Sequence, residues 1–385
     1  MMRNDCPRYP INFLEKSIKP DPIMKKIGTI PAHTHLRTYL VLGYGLFIVY
    51  ASLSPFSGWQ DQGLEVHAVL AMPLLMQYTS FDVIINLLVY LPLGLLSGLA
   101  LQTRCGVAVA VLVATLCGAT LSAMMEYAQM YLPARVSSNL DLLTNVGGTL
   151  LGALLAASIA PRAWFSLHLP LWRTRLFRNE RGESFGLALV LLWVFAQINP
   201  SLPMLGSVFI SEVARAPFVA AQPEPFRWME SLATLLNMLM LGTLLLILLR
   251  TGRHVINVLL PLLFVVAMTK FIMAVTLLKS WALLLWINGE AMLGICVSVM
   301  LLIAVNQLPR VQLMRLAILS ALGYWILAYW VLSAGNPSVA MHLYQWNYGH
   351  LLNYNGLSQA VAWAFPLLTV GYLWHTNNLW HQNKK

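Results

Sequence analysis

Between residues 126 and 145 the chain reads EYAQMYLPARVSSNLDLLTN. Two carboxylates, two amides and a guanidinium (Glu126, Asp141, Gln129, Asn145 and Arg135) crowd into this stretch, with Ser138 three residues before Asp141. A related group lies upstream in FDVIINLLVYLPLGLLSG, where Asp82 precedes Asn86. Both Asp/Asn pairs are spaced i,i+4, which puts their side chains on one face of a helix. Converging carboxylates and amides can orient hydroxyls or amines, and one carboxylate can act as a general base. The arginine fork suits phosphate or carboxylate. A cation bridging Asp82, Glu126 and Asp141 is a further arrangement that oxygen ligands allow.

Simpler roles compete. Thr79-x-x-Asp82 and Ser138-x-x-Asp141 have the form of capping boxes, and the helix dipole favours an acid at an N-terminus. Capping does not account for the asparagine one turn deeper. Nor does it account for Glu126, which closes a helix at the end where the dipole disfavours it. Arg135 is the nearest partner in sequence, so a structural Glu126–Arg135 clasp and a ligand site both stay open.

The elements that must hold these residues follow from composition. Of 385 residues only 10% are charged and 58% are hydrophobic, with a mean hydropathy of +0.68. Soluble domains carry about 25% charged residues. Apolar runs of the length needed to cross a bilayer recur along the chain. The expected fold is an all-α membrane protein of about ten transmembrane helices, near 37–56, 80–102, 106–131, 139–160, 184–200, 228–250, 254–278, 281–304, 313–334 and 354–376.

Most Lys and Arg fall in the N-tail, Arg104, the segment 161–183, Arg250, Arg253, Arg310, Arg315 and the C-terminal lysines. Arg135, Arg215, Arg227 and Lys279 fall on the opposite side. The positive-inside rule then places both termini in the cytoplasm. This orientation puts Glu126 through Asn145 at the outer ends of the third and fourth spans. The expected organisation is a basic cytoplasmic tail (1–36), a four-helix module (37–160), a basic cytoplasmic linker (161–183), a six-helix module (184–376) and a short cytoplasmic tail (377–385).

Small residues set the packing. Gly94/Gly98 and Gly148/Gly152 form two GxxxG pairs, which allow close helix approach in a membrane. Deeper in the chain Lys270 and Glu290 are ionisable residues inside apolar spans. Counted from the 279–280 turn they reach equal depth, beside Asn288. They are expected to pair, either fixing a hairpin or serving a substrate or proton, and a charge swap would then rescue loss of the lysine.

The chain also echoes itself. VLGYGLFIVYASLSPFSGW (41–59), LALVLLWVFAQINPSLP (187–203) and LGYWILAYWVLSAGNPS (322–338) compare, and each precedes a helix opening on polar groups: Asp82/Asn86, Glu230/Asn237 and His350/Asn353. The linker, rich in Trp and Arg, suits either a loop obeying the charge rule or a helix lying on an anionic leaflet. HLYQWNYGHLLNYNG (342–356) suits an aromatic interface belt or a surface recognising sugars or headgroups.

Several classes fall away. The basic residues sit at helix ends and in short loops, so nucleic acid is not an expected partner. The cysteines (Cys6, Cys105, Cys117, Cys296) form no CxxC pair, and no disulfide or metal framework is expected. No hydrolase, zinc, nucleotide or redox motif occurs. No cofactor is expected, and no residue is assigned as catalytic.

The pattern Asp82-x3-Asn86…Pro92-Leu93-Gly94, Glu126-x2-Gln129, Pro133-x-Arg135, Ser138-x2-Asp141-x3-Asn145-x2-Gly148-x3-Gly152 resembles the VanZ-like family, and YASLSPFSGW (50–59) resembles its early motif. The resemblance covers about residues 37–160. It implies a bacterial inner-membrane protein of the cell envelope, in a family whose founding member is linked to teicoplanin resistance and whose molecular mechanism is not established. The six later helices extend beyond what many relatives possess.

The expected partner is a membrane lipid or a lipid-linked cell-wall or polysaccharide precursor at the outer leaflet, with Arg135 holding an anionic headgroup. Asp82, Asn86, Glu126, Gln129, Ser138, Asp141 and Asn145 complete that site. A secondary transporter, a lipid-modifying enzyme and a structural organiser are the alternatives.

Overall fold

Apolar backbone in hydrocarbon has no water to bond, so each long run closes its hydrogen bonds within itself as a helix. The computed structural model describes residues 35–71, 80–160, 168–178, 180, 182–206, 208–210, 226–252, 255–332, 337–346 and 349–382. Residues 1–34, Thr79, 161–167, Arg215, Arg253 and the C-terminal lysines lie outside them.

The first half holds α1 (Leu36–Leu53), the short α2 (Val66–Leu70), α3 (Ser80–Leu101), α4 (Val107–Gln129) and α5 (Asn139–Ile159). A basic helix, α6 (Leu169–Leu176), leads to α7 (Glu183–Gln197), α8 (Trp228–Leu248), α9 (Val255–Leu277), α10 (Gly289–Val305), α11 (Arg310–Ile326) and α12 (Gly349–Gln382). Local signals explain several boundaries. Gly106 precedes α4. Gly182 takes a left-handed conformation (φ 89°) before α7, a turn that glycine adopts without strain.

Eight helices are long and apolar enough to cross a membrane, while α7 and α10 are shorter apolar helices. The expected spans 184–200 and 281–304 correspond to these two. The second starts later than expected because Ser280–Ala282 forms a separate 3-10 turn. Asn288 then caps α10 by accepting from the Ala291 N–H.

Large apolar side chains such as Leu112, Phe264, Met300 and Leu319 remain exposed. A soluble protein rarely shows so many, and a lipid-facing surface requires them.

Helices α3 and α5 pair more extensively than any other two. A Cβ on Gly148 would strike the Leu87 carbonyl, one on Gly152 the Leu91 carbonyl, and one on Gly94 the Thr149 carbonyl. Gly98 faces Ala156. The two backbones are therefore in direct contact, which only glycine permits here.

In the second half α8 is almost entirely buried. It packs against α7, α9, α10 and α11. Helix α12 packs on α11, α7 and α1. Phe47 of α1 stacks on Phe195 of α7, with ring centroids 4.4 Å apart. Contacts across the halves make His35–Lys385 one compact unit.

The halves repeat an arrangement. Each runs helix, long connection, helix, short turn, helix, shorter connection, helix: α1, α3, α4, α5 and then α7, α8, α9, α10. The first helix ends in YASLSP in one case and FAQINP in the other.

The described part of the basic linker is anchored. Arg178 Nε donates to the Leu249 carbonyl at 2.9 Å, and Arg250 Nε donates to the Phe177 carbonyl at 3.1 Å. Arg173 pairs with Glu183 at 3.0 Å.

Candidate functional site in the polar layer of three helices

Three helices each bring a same-face pair to one level. Asp82 and Asn86 come from the start of α3, Ser122 and Glu126 from the end of α4, and Asp141 and Asn145 from the start of α5. The glycine contacts between α3 and α5 fix two of these faces against each other.

Glu126 answers the dipole question. It ends α4, but its Oε2 accepts from the Ser138 N–H at 2.7 Å and the Ser137 hydroxyl at 3.2 Å. It thus sits at the N-terminus of α5, where the dipole favours an anion. Ser138 in turn caps α5, its hydroxyl accepting from Leu140 N–H and Asp141 N–H at 3.1 and 3.3 Å. A complete capping box would return Asp141 to the Ser138 N–H. Glu126 has taken that donor. Asp141 is left to receive a hydrogen bond from Asn86, and it feels the charges of Asp82 and Glu126. Capping therefore does not explain the Asp141 carboxylate. The Thr79 half of the other expected box lies outside the described residues.

Below the acids, Asn145 Nδ2 donates to the Ser122 hydroxyl at 2.9 Å. Asn145 is only 6% exposed. Its Oδ1 is buried and has no hydrogen-bond partner among the described residues. A buried amide oxygen without a donor is costly, by about 1–3 kcal/mol. Tyr90, one turn beyond Asn86, lies beside Ser122 and feels the charge of Glu126. Among the described residues no Lys or Arg forms an ion pair with Glu126 or Asp141. Among them, too, no cluster of His, Cys, Asp and Glu could hold a metal ion.

Arg135 and Gln129 do other work. Arg135 Nε and Nη2 donate to the Ser54 carbonyl at 3.1 and 2.8 Å, and Nη2 also donates to the Ala51 carbonyl at 3.0 Å. Gln129 Nε2 donates to the Ser52 carbonyl at 3.0 Å. These are the carbonyls that the end of α1 leaves without helical partners. With its amide oxygen turned to the guanidinium, Asn353 of α12 also accepts from Arg135. The expected Glu126–Arg135 clasp does not form; Arg135 bonds to the carbonyls of Ala51 and Ser54 and to Asn353 instead. The end of α1 offers carbonyls to Arg135, while Glu126 turns its Oε2 to Ser137 and Ser138. Burial lowers the Arg135 pKa from its ordinary value, yet a guanidinium stays charged. We expect Arg135→Ala to cost about 2–3 kcal/mol. The check is hydrogen exchange, which should speed up first at the end of α1 and the start of α12. Unchanged exchange there would refute this anchoring.

Lys270 and Glu290 do not pair. Lys270 is fully buried, and its Nζ donates to the Gln197 carbonyl at 3.0 Å and the Pro203 carbonyl at 3.4 Å. Glu290 Oε1 instead accepts from the Arg227 N–H at 3.3 Å. Equal depth requires a helix starting at 281, but α10 starts at Gly289, so Glu290 lies in its first turn. Asn288 is that helix's cap.

The loop after α7 fills the space beside Lys270. Asn199 and Ser201 are fully buried there with Asn355. Asn355 Oδ1 accepts from Asn199 at 3.0 Å, Ser201 at 3.1 Å and Tyr344 at 2.6 Å. Burial pushes the Tyr344 hydroxyl up to about 12. The aromatic segment near 342–356 therefore turns Tyr344 and Asn355 inward.

Sequence reasoning missed Ser122, Tyr90 and Ser137. Ser122 precedes Glu126 by four residues and Tyr90 follows Asn86 by four, so same-face spacing was the available signal.

Comparison with known proteins adds one match. Residues 30–160 match the family VanZ/LLP1. No curated protein and no solved structure matches the chain. The VanZ-like segment covers about a third of the chain and contains the whole three-helix polar layer. The protein is thus a helical membrane protein carrying a VanZ-like segment.

Proposed function

We propose that the polar layer of the VanZ-like segment binds an envelope lipid or a lipid-linked cell-wall or polysaccharide precursor by its headgroup, at the outer leaflet of a bacterial inner membrane. Supporting this reading is the Glu126, Asp141, Asn86 and Asn145 layer, where among the described residues the two carboxylates have no Lys or Arg partner and the buried Asn145 Oδ1 has no donor. Such a layer calls for donors, so amine or sugar hydroxyl groups suit it better than a bare phosphate. Placing Asp82 through Asn145 on the outer side follows from the Lys and Arg distribution over ten spans with both termini cytoplasmic. An effect on glycopeptide susceptibility belongs to the same proposal.

Native mass spectrometry of gently solubilised protein tests it. Wild type should retain a defined lipid or precursor. Glu126→Gln and Asp141→Asn, at matched melting temperature, should each retain at least tenfold less. Equal and unselective retention by all three would leave the layer as a packing device only.

A further inference from the structure

A groove runs along the seam between α1 and α12, away from the polar layer. It is shallow and open to the outside, has a volume of about 430 Å³, and is lined by Tyr50, Gly356, Gln359, Ala360, Trp363 and Leu367, among others. Most of its wall is apolar. Its positions on α12 recur at helical spacing, so they form one stripe.

Arg135 stands at the head of this stripe. Its guanidinium is held by the carbonyls of Ala51 and Ser54, next to Tyr50, and by Asn353, one turn before Gly356. Among the described residues no carboxylate pairs with it. Carbonyl dipoles hold the cation but leave its charge uncompensated. A guanidinium has five N–H donors, and among the described residues Asn353 is the acceptor seen for Nη1, which leaves one of its hydrogens without a partner there. Arg135 lies beyond the end of α4, in the connection to α5.

We propose that this groove holds one acyl chain of an anionic glycerophospholipid, with its phosphate facing Arg135. Length decides the class of chain. From Gly356 to Leu367 the stripe runs about 16 Å at the helical rise. That equals about half of a 30 Å hydrocarbon core, the depth of a single leaflet. An acyl chain of one leaflet fits this span, and a polyprenyl chain outruns it. Trp363 and Tyr50 line it, and the Tyr50 hydroxyl lies against Gly356.

The full-length protein is exchanged into nanodiscs of equal phosphatidylglycerol and phosphatidylcholine, then released for native mass spectrometry. Wild type should carry one phosphatidylglycerol at least tenfold more often than phosphatidylcholine. Ala360→Phe fills the groove and should lower that occupancy at least fivefold without moving the melting temperature. Ala364→Phe, on the exposed rim, should do the same if the first variant folds poorly. Arg135→Gln should remove the preference for the anionic lipid. Glu126→Gln should leave this lipid bound, which separates the groove from the polar layer. Equal retention of both lipids by wild type, unchanged retention after both groove fillings, or displacement by a long polyprenyl phosphate would each overturn the proposal.

Discussion

Gly148→Val should abolish the folded protein in mild detergent, while Gly147→Val, one residue earlier, should be silent. The contrast rests on what each side chain would meet. A Cβ on Gly147 meets nothing within 4 Å, whereas one on Gly148 falls on the Leu87 carbonyl. Backbone cannot swing aside as a flexible side chain can. Overpacking a core costs about 1–3 kcal/mol when side chains give way. Here α3 and α5 would have to separate along their shared length, so the cost should exceed about 3 kcal/mol. Separation would also pull Asn86 from Asp141. The measurement is fluorescence-detected size exclusion followed by a thermal melt. A monodisperse Gly148→Val protein with the wild-type melting temperature would mean that the two helices do not touch there.

Lys270→Met should be nearly as damaging, and exchanging the two charges should make it worse. Methionine keeps the volume of the side chain but leaves the Gln197 and Pro203 carbonyls without their donor in a dry site. Losing charged hydrogen bonds of this kind costs about 3 kcal/mol. In Lys270→Glu with Glu290→Lys a carboxylate would face two carbonyl oxygens, with no donor between them. The loop carrying Asn199 and Ser201 should then come loose. A thiol placed by Ser201→Cys would report it, staying inert in wild type and reacting with a soluble maleimide in the variants. A charge-swapped protein with full stability would restore Lys270 and Glu290 as partners.

Composition alone carries the helical membrane class, because few charges and recurrent apolar runs admit little else. The Asp82/Asn86 and Asp141/Asn145 spacings brought those residues to notice, since a four-residue step stays on one face whatever the tertiary packing. The partners of Arg135 and Lys270 were not legible. Both cations bond to backbone carbonyls, and every residue has a carbonyl, so no residue type marks the acceptor. Glu290 was misplaced because its helix starts at a cap rather than at the end of the apolar run. Ser122 looks like any small residue in a span apart from its four-residue step to Glu126, and its contact with Asn145 is what marks it.

The near-complete burial of α8 bears on biogenesis. During synthesis this helix enters the bilayer before α10 and α11, the helices that later enclose it, have been made. Its apolar side chains can wait in lipid at little cost. The amide of Asn237 cannot, because hydrocarbon offers it no hydrogen bonds. Trp193 of α7 is already present and donates to Asn237 Oδ1 at 2.9 Å. Helix α7 thus offers α8 a polar partner before α10 and α11 are made.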